Sequence, residues 1–392
     1  MNIKEMDQTY VANTYKRFPL EIVRGKGSLV QDETGREYID LGSGIAVTSF
    51  GVADEEWKRA VTEQLGKVQH MSNLYYTAPC AELARMLCQA TGFKKVFFSN
   101  SGAESNECAI KACRKYAAEK HGKDCFTIIT LKNSFHGRTI TTLAATGQEH
   151  YHELFQPLTP GFLHVGADNT EELRAAVEAN RVAGILIECV QGEGGVIPLS
   201  QEYVRAAAEL AREKDILLMV DEVQTGNGRT GELYAYMHYG IQPDIVSTAK
   251  GLAGGLPLGA TLLGEKVQNV FGWGDHGSTF GGNPIACAGA ISILSRIDAE
   301  LLAEVKKKSA FLFETFRGAP GVEKVTGLGL MNGIKTAKPA SQVVKTCMEN
   351  GVLCLTAKDR VRLLPALNIP MEVLQRAAEI IKAACAESEE SE

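Results

Sequence analysis

Short apolar runs that alternate with longer stretches of helical spacing constrain this chain more than any other feature. Lys95–Ser99, Phe126–Leu131, Gly184–Cys189, Leu217–Asp221 and Asp244–Ser247 read as strands. Between them, Ser105–His121, Glu171–Asn180 and Gln201–Lys214 read as helices, and Glu55–Val68 and Ala81–Ala90 precede them with the same spacing. The strands are continuous apolar runs rather than in/out alternations, which suits a parallel sheet covered on both faces. The rhythm predicts an open α/β fold with ligands at the carboxyl ends of its strands.

Upstream, two strand-like runs flank the turn Asp32-Glu33-Thr34-Gly35, where Gly35 suits a positive φ. The Gly-rich stretch Gly251–Gly282 is expected to end the sheet pattern. Beyond it Ile285–Phe316 reads as helix, and the rest mixes short strands with helices. A chain of 392 residues, 45% apolar, exceeds one ordinary core. The expected division is an N-terminal segment, 1–50, joining a small C-terminal domain, 284–392, around a large cofactor-binding domain, 51–283.

Net charge is -6, with a pI near 5.9, so no nucleic-acid or anionic-membrane partner is indicated. The ten cysteines are scattered without CxxC pairs or zinc-ligand spacing, and are expected to be reduced and buried. The start, MNIKEMDQTYVANTYKRF, lacks the apolar stretch of a signal peptide, and no run is long enough to span a membrane. A cytoplasmic location is expected, with AESEESE as a solvated acidic tail.

Three segments carry chemistry. In FFSNSGAESNE a strand passes through Ser101-Gly102-Ala103 into a helix, whose free N–H groups and positive end would hold a phosphate. The bland alternative is an ordinary turn with Ser101 as N-cap. The segment lacks a phosphate-loop lysine, which disfavours a nucleotide-binding phosphotransferase. In LLMVDEVQTG an apolar strand ends on Asp221. A carboxylate there needs a cationic partner, either a pyridinium nitrogen or a magnesium ion shared with Glu222. In DIVSTAKGLAGG, Lys250 follows the next strand, one strand–helix–strand unit on. Burial would lower its pKa and suit it to imine formation. KNSFHGRT adds a ring, Phe135, that can stack on a flat cofactor, and Arg138, which can grip a carboxylate. His136 reads as an ordinary turn histidine.

Together, SNSGAESNE, FHGRT, ECVQGEGGV, VDEVQTGNGRTG, Asp244–Gly259 and STFGGNP resemble, in order, the class III (ornithine-type) aminotransferases of the aspartate aminotransferase fold. The resemblance implies a fold type I enzyme that uses pyridoxal 5'-phosphate. It places Ser101, Gly102, Ala103, Glu222 and Val223 in the cofactor site, with backbone bonds from Gly102 and Ala103 to the phosphate. Phe135 would stack on the pyridine ring, Asp221 would pair with the ring nitrogen and Gln224 with the ring hydroxyl. Lys250 would carry the cofactor and shuttle the proton. Thr279 would reach the phosphate of a neighbouring subunit, which implies a homodimer with shared active sites. Ser278 would contact substrate.

GSGIAVTSFG, HMSNLYYTAP and DEVQTGNGRTGELYAYMHYGIQPDI resemble the acetylornithine-type members of the class. This implies transfer of the terminal amine of N2-acetyl-L-ornithine to 2-oxoglutarate. Arg138 would hold the distal carboxylate of both substrates. Arg362 would hold the second carboxylate of 2-oxoglutarate and be masked by Glu193 during the first half-reaction, with Arg360 as the neighbouring rival. The chain departs from that group in two places. Gly51-Val52-Ala53-Asp54-Glu55 stands where His-x-His-Pro is usual, and Glu188-Cys189 where Glu-Pro is usual. Ornithine, succinyldiaminopimelate and 4-aminobutyrate remain alternative donors. A catalytically silent binding protein on the same fold is the non-enzyme alternative.

Overall fold

Seven strands form the main sheet: β1 Lys95–Ser99, β2 Thr127–Leu131, β3 Phe162–Val165, β4 Val182–Ile187, β5 Leu217–Asp221, β6 Ile245–Thr248 and β7 Gly259–Leu263. The structure is a computed structural model that describes residues 1–386, so the acidic tail beyond Ala386 lies outside the described residues. The strand order is β1-β7-β6-β5-β4-β2-β3. Neighbours are parallel except where β7 pairs antiparallel with β6 and β1.

Successive strand residues serve opposite faces, as the pleat requires. Ile129, Ile185 and Leu218 pack into one core cluster, and Ile128, Leu186 and Leu217 into another. Helices close both faces: Leu83, Leu87 and Leu210 join the first cluster, and Ala109 and Cys113 the second. This is the mixed, mostly parallel sheet of the expected α/β class.

Two expectations need correction. The sheet does not stop at the Gly-rich stretch, because β7 lies inside it and is buried throughout. The glycine there has a packing role: a Cβ on Gly259 would lie 2.4 Å from the Ser101 carbonyl oxygen and 2.6 Å from Ser99 Oγ. Nor is Ile285–Phe316 one helix. Pro284–Leu294 and Ala299–Phe316 are separate, and Asp298 caps the second by accepting from Leu301 N–H at 2.8 Å. The edge strand β3 was not anticipated.

A second sheet is antiparallel, in the order Val322–Leu328, Met331–Thr336, Arg360–Leu363, Leu355–Ala357. Its core takes in Ile39 and Leu41 from the chain's start with Leu312, Val343 and Leu374 from the helices Ala299–Phe316, Ala340–Glu349 and Met371–Ala386. The strand Glu37–Asp40 also pairs in parallel with Val352–Leu353. All ten cysteines are free, eight of them buried. Among the described residues no helix is long and apolar enough to cross a membrane.

Candidate active site

The parallel register of β5 and β6 sets Asp221 opposite Ser247, at the carboxyl edge of the sheet. Lys250 follows β6 and opens a short helical turn, Lys250–Leu252, with φ at +43°. Left-handed backbone at a non-glycine residue costs about 1–3 kcal/mol and tends to occur at functional sites. Both side chains line one pocket of about 440 Å³.

Asp221 is 4% exposed, so its charge requires compensation. Its Oδ2 accepts from Asn106 Nδ2 at 2.7 Å and lies 2.8 Å from His136 Nδ1, and its Oδ1 accepts from the Val223 N–H at 2.9 Å. A carboxylate offers about four acceptor positions. Three are filled, which leaves capacity for a pocket-side N–H such as that of a protonated pyridine.

Asn106 and His136 were not recognised as site residues in the sequence. Asn106 stands one helical turn inside Gly102–His121, on the face that begins at Gly102. Its Oδ1 accepts from Ser247 Oγ at 2.5 Å and its Nδ2 also donates to the His136 carbonyl at 2.8 Å. His136 is a buried ring against Asp221 rather than an ordinary turn histidine. Burial opposes its charge, but the Asp221 bond and charge prevail, and its pKa is raised. Glu188 was also missed. It lines the pocket, accepts the Phe135 N–H at 2.9 Å, and is pushed up to about 7 by burial against the pull of His136.

At the opposite end, Ser101 caps the helix, accepting from Glu104 N–H at 3.2 Å. The N–H groups of Gly102 and Ala103 have no partner within the helix and would suit a phosphate. A Cβ on Gly102 would lie 2.5 Å from Val223 Cγ1, so only glycine allows this approach. Phe135 and Arg138 line the wall between the two ends. Burial lowers the Lys250 pKa, and Glu193 opposes that.

Gln224 and Glu193 complete the pocket. Arg362, 3% exposed, stands behind them: its Nη1 donates to Glu193 Oε1 at 2.5 Å and to Gln224 Oε1 at 3.2 Å. Gln224 Nε2 donates to the same Glu193 oxygen at 3.2 Å. Burial would raise the Glu193 pKa, but Arg362 beside it prevails and lowers it. Arg360 instead donates to Thr326 Oγ1 and has no part in this group.

Besides Arg362, three expected residues do not line the pocket. Glu222 departs from the expected cofactor contact because it follows Asp221 at the strand end and its side chain turns into the core. It accepts from Thr225 Oγ1 at 2.5 Å and from the Tyr236 N–H at 2.8 Å. It therefore does not converge with Asp221 as a metal pair would. Ser278 Oγ accepts from Asn100 Nδ2 at 3.1 Å, at the pocket's margin. Thr279 is exposed outside it.

The sequence profile described as "Aminotransferase class-III" matches residues 10–385. The chain belongs to this family. Class III aminotransferases depend on pyridoxal 5'-phosphate, and the spare acceptor capacity of Asp221, the strained Lys250 and the helix N-terminus fit that cofactor. This aminotransferase is 48% identical to the acetylornithine aminotransferase of Haemophilus ducreyi, with 97% of each chain covered. It is 43% identical to that of Aquifex aeolicus, covering 95% of this chain and 99% of the other. Among solved structures, ornithine aminotransferase from Toxoplasma gondii superposes with a TM-score of 0.94 at 33% identity, covering 97% and 94% of the two chains. N-acetylornithine aminotransferase from Stenotrophomonas maltophilia superposes with a TM-score of 0.85 at 35% identity, covering 97% and 98%.

Proposed function

We propose that this enzyme transfers the terminal amino group of N2-acetyl-L-ornithine to 2-oxoglutarate, giving N-acetyl-L-glutamate 5-semialdehyde and L-glutamate. The observation that carries the reading is the Glu193–Arg362 pair at the pocket that holds Lys250 and Arg138. The two substrates differ in charge. The donor has no carboxylate on its reacting carbon, whereas 2-oxoglutarate reacts beside one. Arg138 would serve the distal carboxylate of either. Arg362 would be needed only by 2-oxoglutarate, and a glutamate that pairs with it and releases it keeps one pocket usable by both.

The bound cofactor supplies an aldehyde for the amine and a ring that withdraws an electron pair. The protein residues do the rest. Asp221, held in place by Asn106 and His136, would keep a proton on the ring nitrogen. The Lys250 amine, its pKa lowered by burial, would take the proton from the carbon bearing the substrate nitrogen and carry it within the pocket. Gly102 and Ala103 would hold the phosphate, and Phe135 and Val223 would contact the ring.

Thr279 would act on the phosphate of a second copy, so we read the enzyme as a cytoplasmic homodimer. Its exposed neighbours Phe280 and Trp273, and Leu74, Tyr75 and Tyr76 in the adjoining segment that Asn73 ties to the Ser278 and Gly281 carbonyls, offer apolar area for such a contact. We also propose the domain division 51–283 against 284–392 with 1–50. The strong superposition on an ornithine aminotransferase makes ornithine the second reading for the donor. Single-turnover bleaching of the yellow holoenzyme by a panel of amines decides between them. N2-acetyl-L-ornithine should bleach fastest, and faster bleaching by ornithine would overturn the assignment.

A further inference from the structure

We propose that Tyr151 is a positioning residue for Arg138, and through it sets how tightly a substrate's distal carboxylate is held. The proposal rests on the reading of Arg138 given above. Arg138 is exposed at the pocket wall, where a long, charged side chain would ordinarily sample many rotamers. Two rings restrain it. Its guanidinium carbon lies 4.9 Å from the Tyr151 ring centroid and 5.7 Å from that of Phe135. The rings themselves meet at 5.8 Å, tilted 68°. Rings attract the cation through their faces and accept none of its N–H groups in the way a carboxylate would. The guanidinium is thus braced while its donors stay available for a bidentate grip.

The brace is itself anchored. Tyr151 ends the short turn Glu149–Tyr151, and its N–H donates to the Gln148 carbonyl at 3.1 Å. The buried Gln148 donates through Nε2 to the Ser134 carbonyl at 3.0 Å, next to Phe135. His152 Nε2 lies 2.9 Å from the Leu143 carbonyl oxygen and 2.8 Å from that of Thr146, at the end of the helix Ile140–Ala145. Segment 148–152 is therefore tied to both ends of the stretch that carries Arg138. An arginine held in this way has already given up rotamer freedom that a free one would lose on binding.

The ring, not the hydroxyl, performs this role, and that separates positioning from a general structural effect. Tyr151→Phe should leave the KM for 2-oxoglutarate within about twofold of its original value. Tyr151→Leu should raise it about three- to tenfold, with kcat nearly unchanged and the cofactor absorbance intact. Inhibition of the holoenzyme by glutarate, a dicarboxylate that cannot react, should weaken by the same factor. Tyr151→Met replaces the leucine variant should that fail to fold. In an Arg138→Gln background, which removes the cation, the Tyr151→Leu effect should largely vanish. Equal damage from Phe and Leu, a fall in kcat in place of the KM change, or additive effects in the double variant would each overturn the proposal. Because 2-oxoglutarate and glutarate are the probes, a wrong amino donor leaves this test intact.

Discussion

Arg362 is locked to Glu193 at 2.5 Å although it belongs to the second sheet, while Glu193 follows β4 of the main one. The arginine's side chain is only 4% exposed, and the glutamate's is 27% exposed. The glutamate is thus the partner with room to move. Removing it should leave Arg362 free to take a carboxylate at the outset. In Glu193→Ala, single-turnover bleaching by glutamate should gain about tenfold or more relative to N2-acetyl-L-ornithine, the scale of one charge-assisted bond. An unchanged ratio would show that the pair does not gate the substrates.

Among the described residues Lys250 is the only lysine lining the pocket, so its loss removes both the covalent anchor and the proton carrier. Lys250→Ala should lack the absorbance of the lysine-bound cofactor and lose at least about a thousandfold in turnover. Persistence of that band after dialysis would refute the assignment.

Three donors hold the buried Asp221 side chain in place. In His136→Phe, Asn106 Nδ2 and the Val223 N–H remain, but the bond to the ring nitrogen goes. A hydrogen bond to a charged group contributes about 1.5–3 kcal/mol, so cofactor affinity should fall about tenfold or more. Equilibrium titration of the cofactor-free enzyme measures this directly. Full affinity in the variant would mean that His136 only fills space.

The sequence made visible those parts of the site that sit at strand ends. Asp221 and Lys250 terminate apolar runs, and Ser101-Gly102-Ala103 joins a strand to a helix, so local pattern was enough to place them. What it hid depends on distance in the chain or on turns of the backbone. The Asn106–Asp221 bond spans 115 residues, and no local signal marks Asn106 as more than a helix residue. β7 was overlooked because its five residues sit between glycine-rich segments, and its role as an antiparallel insert between β1 and β6 is purely tertiary. Glu222 looked like a twin of Asp221, but the next position along a strand points the other way.

Glu222 carries a second consequence through its burial. Its carboxyl is pushed up to about 7, chiefly by desolvation, with the Thr225 hydroxyl and the backbone N–H groups of Ala235 and Tyr236 pulling the other way. Between the ordinary value of 4.5 and about 7, the folded chain keeps a proton that the unfolded chain releases. The associated stability is fully present below 4.5 and is lost as pH rises to about 7, amounting to about 3 kcal/mol. Glu222→Gln keeps an acceptor for the Tyr236 N–H and removes the titration. Denaturant unfolding of the cofactor-free protein at pH 5 and pH 8 should show a smaller fall in the variant than in the parent. An equal fall would place the titration elsewhere, for example at Glu188, which shifts in the same direction.

Arg229 joins the two sheets, and among the described residues no carboxylate pairs with it. It is 2% exposed, and burial alone brings its pKa down to about 9. Its Nη1 donates to the Leu330 carbonyl at 3.0 Å and to the Pro365 carbonyl, and its own carbonyl accepts the Leu330 N–H at 2.9 Å. Pro365 lies just past the strand Arg360–Leu363, so this contact fixes the exit of the segment that presents Arg362. A lysine keeps the charge but lacks the planar fork. Arg229→Lys should therefore lose about 1–2 kcal/mol of stability, roughly one buried hydrogen bond. Loosening that exit should also raise the KM for 2-oxoglutarate more than that for the amino donor, because only the former calls on Arg362. Steady-state kinetics with both substrates varied would reveal the asymmetry, and equal changes in both KM values would reduce Arg229 to a structural rivet.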